Sequence, residues 1–80
     1  MQQTAMYIIR IAQTLTDADA GWFEGLTIYP QAGAETLLLT PPIDQTGLHG
    51  ILATLRDLGI PLVAVFQVGL PPRQEATHAL

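Results

Sequence analysis

Eighty residues with a formal charge of −4 and only 12% charged side chains make one domain, near the size at which a single core barely offsets chain entropy. The basic residues are Arg10, Arg56 and Arg73, with no lysine, so the clustered cations that a nucleic acid or an anionic membrane surface requires are missing. Cysteine is absent, which excludes disulfides, thiolate chemistry and thiol-ligated metals and leaves the redox compartment open.

The opening MQQTAMYIIR has no basic region followed by a long apolar run, so it does not read as a signal peptide. The apolar runs are too short to span a bilayer, and a cytoplasmic protein is expected. MYIIRIAQTL predicts a strand at about 6–13, with Tyr7, Ile9 and Ile11 on one face and Ile8, Arg10 and Ala12 on the other. TLTDADAGWFEGL then predicts a helix of about two turns. Thr16 is its N-cap, Asp17 and Asp19 complement its positive end, and Gly25 stops it. Trp22 and Phe23 near its end are expected to anchor it to the core.

LTIYP, QAGAE and TLLLT predict a hairpin with strands at 26–30 and 36–40, a turn using Gly33, and a stop at Pro41 and Pro42. A long helix follows over 45–58. Asp44 is the N-cap, Ile43 staples on Leu48, and Leu48, Ile51, Leu52, Leu55 and Leu58 form the apolar stripe. Gly59 supplies a left-handed C′ residue, Leu55 meets Ile60 across it, and Pro61 prevents continuation. PLVAVFQV predicts a last strand at 61–68, apolar on both faces. Residues 1–69 therefore read as a single α+β domain, with a mobile C-terminal tail over 70–80.

The order strand, short helix, strand, strand, long helix, strand is the βαββαβ pattern of ferredoxin-like folds. Such a fold lays both helices on one face of a four-stranded antiparallel sheet and leaves the other face open. The open face is expected to carry Ile8, Arg10, Ala12, Thr27, Tyr29 and Leu38. One set of last-strand residues joins them, either Val63 and Val65 or Leu62, Ala64 and Phe66. Either set leaves an apolar surface, and 49% apolar composition is more than one small core needs. Large exposed apolar patches mark contact surfaces.

Chemistry-bearing residues are sparse. Gln45, His49 and Arg56 share a stripe on the long helix, where Arg56 suits an anion or carboxylate and His49 an acid, base or switch. An ordinary solvated helix edge is the favoured account of them. No carboxylate or hydroxyl is tied to His49 in the manner of a triad, and His78 in the tail does not complete a metal site. Asp17, Asp19 and Glu24 are explained by helix-end electrostatics. Tyr29 lacks the basic surround and second aromatic of an RNA-stacking face. Gly47 and Gly50 stand inside the long helix, each at a cost of about 0.8–1.0 kcal/mol relative to alanine. Packing of the first turn explains Gly47, whereas outward Gly50 suggests close approach of a partner.

The stretches YIIRI, WFEGLTI and TLLLTPPIDQTGLHGILATLRDLGIPLVAV resemble a group of short, stand-alone bacterial proteins that share D-Q-x-x-L-H-G-x-L-x-x-[IL]-R-D-L-G. The matching positions are Asp44, Gln45, Leu48, His49, Gly50, Leu52, Leu55, Arg56, Asp57, Leu58 and Gly59. The resemblance implies a fold and carries no activity, cofactor or catalytic residue; this chain departs from the group in its longer, Pro-containing tail. The function expected is a non-enzymatic protein-interaction module, either self-associating or an accessory subunit of a larger assembly. A small-molecule or anion-binding sensor and a cofactor-free dimeric enzyme using His49 are the alternatives. No catalytic, cofactor or metal residue is assigned. The candidate surface comprises Arg10, Tyr29, Leu38, Gln45, His49, Gly50 and Arg56.

Overall fold

Alternation in MYIIRI is what draws β1 (Met6–Ile11) into the middle of a sheet, because Tyr7, Ile9 and Ile11 all need cover on the same side. The structure, a computed structural model, describes residues 3–68, so the tail expected over 70–80 lies outside the described residues. After β1 come α1 (Asp17–Ala20), a 3₁₀ turn (Gly21–Phe23), β2 (Thr27–Gln31), β3 (Glu35–Leu39), α2 (Gln45–Asp57) and β4 (Leu62–Val68). All strand pairs are antiparallel and the order across the sheet is β2-β3-β1-β4. The fold is α+β, an open four-stranded antiparallel sheet with two helices.

The first helix is shorter than expected. Thr16 and Asp19 form a reciprocal capping box, in which the Asp19 N–H donates to Thr16 Oγ1 at 3.2 Å and the Thr16 N–H donates to Asp19 Oδ2 at 3.0 Å. After one turn the backbone tightens into 3₁₀ geometry and leaves the helix at Gly25, whose φ is +90°. Only one of the paired aromatics reaches the core: Phe23 is buried, whereas Trp22 is 62% exposed. Consecutive residues on a tight turn point in different directions, so the expectation that both anchor this segment is corrected.

The long helix agrees with its local chemistry almost residue for residue. Asp44 Oδ1 accepts from the Gly47 N–H at 2.8 Å, and Ile43 packs against the cluster that contains Leu48. At the other end the Ile60 N–H donates to the Leu55 carbonyl (2.9 Å) and the Gly59 N–H to the Arg56 carbonyl (3.0 Å), with Gly59 at φ +72°. This is a complete Schellman ending. Leu58, one end of the expected stripe, is exposed at the cap.

The core is Tyr7, Ile9 and Ile11 of β1, Leu38 of β3, Phe23, Leu48 and Leu55 of the helical segments, and Ile60. Residues from both helical segments thus share one side of the sheet. The register sets Ile28, Leu38, Ile9 and Val65 in one row on that side. Leu38 has 0% exposure, so its expected place on the open face is wrong. Residues directly opposite in a ladder share a face, and Leu38 faces Ile9. Its neighbours Thr36 and Thr40 are buried with it because their hydroxyls find backbone partners. Thr36 Oγ1 donates to the Gln13 carbonyl at 2.7 Å; Thr40 Oγ1 donates to the Pro41 carbonyl at 2.8 Å and accepts from the Tyr7 N–H at 3.0 Å.

Candidate functional site

Two surfaces carry exposed apolar residues, and Leu58, Leu62 and Val63 lie outside both. The first is the side of the sheet opposite the helices, where the register places Thr27, Leu39, Ile8 and Phe66 in one row and Tyr29, Leu37, Arg10 and Ala64 in the next. Met6 and Val68 continue it. Phe66 is 52% and Tyr29 48% exposed, while Ile8, Leu37 and Leu39 are half-buried by their neighbours on the sheet. A shallow hollow of about 350 Å³ lies among Ile8, Tyr29, Gln31, Leu37 and Leu39. Of the last-strand sets left open by the sequence, Ala64 and Phe66 lie on this face, opposing Arg10 and Ile8, whereas Leu62 of the same set opposes Ile11 beyond the register shift and is corrected to the other side. Charge enters this face through Arg10, whose Nη2 lies 2.7 Å from Glu35 Oε1 and whose Nε donates to the same oxygen at 2.8 Å.

The second surface is a cleft of about 290 Å³ between the 3₁₀ turn and α2. Trp22, Phe23, Glu24 and Leu26 form one wall, Gly47, Gly50, Ile51 and Thr54 the other, and Pro41 and Ile43 also contribute. Its two glycines have different causes. A Cβ at Gly47 would meet Ile43 Cβ at 3.2 Å and Asp44 Oδ1 at 3.4 Å, so the helix start itself demands a small residue. A Cβ at Gly50 would meet nothing within 4 Å. No contact within the described residues accounts for Gly50.

The long-helix candidates do not converge. Gln45 borders a separate polar hollow of about 440 Å³, together with Gln3, Thr4, Ala5, Tyr7, Thr46 and Gln67. His49 is exposed, and no hydrogen bond or ion pair reaches it among the described residues. Arg56 is exposed, and among the described residues its Nε contacts only the adjacent Asp57, 3.3 Å away. Gly50 faces the Trp22 cleft. Spacing on one helix puts Gln45, His49 and Arg56 on a common stripe, but Gln45 alone of the three borders one of these hollows, and no described residue closes over the other two. Arg10 and Tyr29 share the open face; Leu38 lies beneath it. Among the described residues no group of three His, Asp or Glu side chains is placed to hold a metal, and no helix is long and apolar enough to cross a membrane. His78 lies outside the described residues.

Sequence reasoning missed Trp22 as an exposed group and missed its position opposite Gly50. The signal was faint: an aromatic beside a buried aromatic in a segment too short to bury both.

Neither the curated proteins nor the solved structures contain a match to this chain. A family model described as a domain of unknown function, DUF8691, matches residues 6–66, which takes in β1 to β3, both helices and β4 as far as Phe66. The chain belongs to that family.

Proposed function

We propose that this protein is a non-enzymatic interaction module of ferredoxin-like βαββαβ topology that docks a protein, a second copy or a subunit of a larger assembly, on its open sheet face. The element order and the strand order β2-β3-β1-β4 support the topological part of the reading. One observation carries the functional part: Ile8, Leu37, Leu39, Phe66, Val68 and Tyr29 form a contiguous apolar field on the side of the sheet that no described helix covers. Covering a side chain of this size is worth roughly 1.5–3 kcal/mol when burial is complete, so a partner gains substantially by docking there. The Arg10–Glu35 pair supplies a fixed polar mark within the field that sets orientation more than affinity.

The test is a photo-crosslinking scan in cells, with p-benzoylphenylalanine placed singly at Tyr29, Leu37 and Phe66, and at Glu24 and Thr54 on the helix side. Protein adducts concentrated at the first three positions are expected. Adducts arising only from Glu24 and Thr54 would move the docking surface to the helices and end this reading.

A second reading rests on Gly50, whose missing side chain leaves open space facing exposed Trp22. In it, the cleft takes a small apolar ligand against the indole. Since nothing contacts a Cβ at this position, Gly50→Ala is expected to stabilise the free protein by about 0.5–1 kcal/mol, seen as a raised Tm. Gly50→Leu would fill the cleft and remove any thermal shift produced by apolar metabolites. A metabolite shift that persists in Gly50→Leu would place the ligand elsewhere.

A further inference from the structure

The two edges of the sheet are built differently. Backbone bonds decide which groups each edge leaves free. The Thr40 N–H donates to the Tyr7 carbonyl and the Ala12 N–H to the Pro61 carbonyl. Odd residues of β1 therefore bond toward β3 and even residues toward β4. Carried through the register, Ala64, Phe66 and Val68 bond to β1, while the N–H and C=O groups of Val65 and Gln67 point out of the sheet. On the opposite edge the same alternation turns Ile28 and Pro30 outward. Pro30 has no N–H, so β2 carries a built-in block to strand addition.

No such guard stands on β4. From Leu62 to Val68 the strand has no proline, no lysine and no charge of either sign. Its one irregularity is the register shift opposite Arg10 and Ile11, which leaves Ala64–Val68 regular. Leu62, Val63, Phe66 and Val68 are all exposed along it. An edge with which no described residue pairs calls for another strand, and an uncharged one opposes no like charges when that strand is its own copy.

We infer that two copies of this chain pair antiparallel along β4, about a two-fold axis at Phe66. This register uses only the regular part of the strand. Val65 faces Gln67 of the second copy and exchanges both of its outward bonds with it, and Gln67 does the same with Val65. Phe66 faces Phe66 in a non-hydrogen-bonded pair, where side chains approach closest and aromatic pairs are favourable. Ala64 faces Val68, small against larger. Because the axis is perpendicular to the sheet, the two open faces merge into one surface on the same side. The inference concerns edge backbone groups, so it holds whether or not the open face is itself covered. An edge contact alone falls short of a standard interface of about 800 Å² per partner, so a reversible, concentration-dependent dimer is expected.

The chain has no cysteine, which makes the test clean. Cα atoms in a non-hydrogen-bonded pair lie about 4.5 Å apart, within disulfide range. Under mild oxidation, full-length Phe66→Cys is expected to crosslink to a covalent dimer far faster than Ala64→Cys or Tyr29→Cys, whose symmetry mates lie well apart. By sedimentation the wild type shifts from one copy to two with rising concentration. Gln67→Pro, which deletes an outward donor from each copy and leaves the β1 ladder intact, raises the dissociation constant at least roughly tenfold. Asp17→Asn, on α1 and remote from both the edge and the open face, leaves that constant unchanged. A wild type that stays one copy throughout, or crosslinking no faster at Phe66→Cys than at Tyr29→Cys, overturns the inference. So does a dimer lost in Tyr29→Lys and retained in Gln67→Pro, which would assign self-association to the face.

Discussion

Leu38→Ala is expected to remove about 3–5 kcal/mol of stability, enough to unfold much of a domain whose total is of order 5 kcal/mol. The same change one residue earlier, Leu37→Ala, should cost less than half as much. The contrast rests on parity. Leu38 opposes Ile9 on one side and Ile28 on the other, in the row that meets Leu48, Leu55 and Phe23. Truncating it leaves a cavity under both helical segments, and the surroundings relax only in part. Leu37 shares its row with Tyr29 and Arg10 on the uncovered face, where water fills the space left behind. Urea denaturation of the two variants measures the difference directly. Equal losses would show that β3 is in the opposite phase or that the face above Leu37 is itself covered.

That same strand marks the boundary of what the sequence can tell. TLLLT has leucine in both phases, so hydropathy alone cannot say whether Leu38 or the Leu37–Leu39 pair faces inward. Polarity points the wrong way, because burying Leu38 also buries Thr36 and Thr40. The choice is made by hydroxyl partners contributed from 23 and 33 residues away in the chain, the Gln13 carbonyl and the Tyr7 N–H. Long-range pairing of that kind leaves no local trace. The α2 segment behaves in the opposite way. Asp44, Ile43, Gly59 and Ile60 all act within a few residues of themselves, so its start, stop and inward face are readable by eye and agree with the structure.

The candidate surface divides along the same line. Alternation, a local rule, puts Arg10 and Tyr29 on one face, and the register keeps them there in one row with Leu37 between them. Gly50 was singled out because a mid-helix glycine breaks a local rule, but the group across from it was invisible. Trp22 lies on the far side of a hairpin and a turn in sequence, and only the tight 3₁₀ exit from α1 turns its ring outward into the cleft. His49 and Arg56 show the converse. Their helical spacing is legible in the sequence, but a shared stripe brings side chains together only where another element closes over it.

Thr40→Val should destabilise the protein by about 1–3 kcal/mol, although valine is nearly isosteric and more apolar. Thr40 is 1% exposed, so the added methyl brings a hydrophobic gain. That gain is opposed by two losses at once: the Tyr7 N–H loses its acceptor at 3.0 Å and the Pro41 carbonyl loses its donor at 2.8 Å. The Tyr7 amide is buried where β1, β3 and the Pro41 step come together, and a buried donor left unpaired carries its full desolvation penalty. Thr36→Val breaks only the bond to the Gln13 carbonyl and should cost less. Thr54→Val breaks only a 3.1 Å bond to the Gly50 carbonyl on the exposed helix surface, so a change within about 0.5 kcal/mol is expected. Amide hydrogen exchange separates local from global effects, because loss of the Thr40 acceptor should speed exchange at Tyr7 more than at Ile9, whose neighbours are untouched. If Thr40→Val instead equals or exceeds the wild type in stability, the hydroxyl is dispensable. The inward phase of β3 would then be set by Leu38 alone.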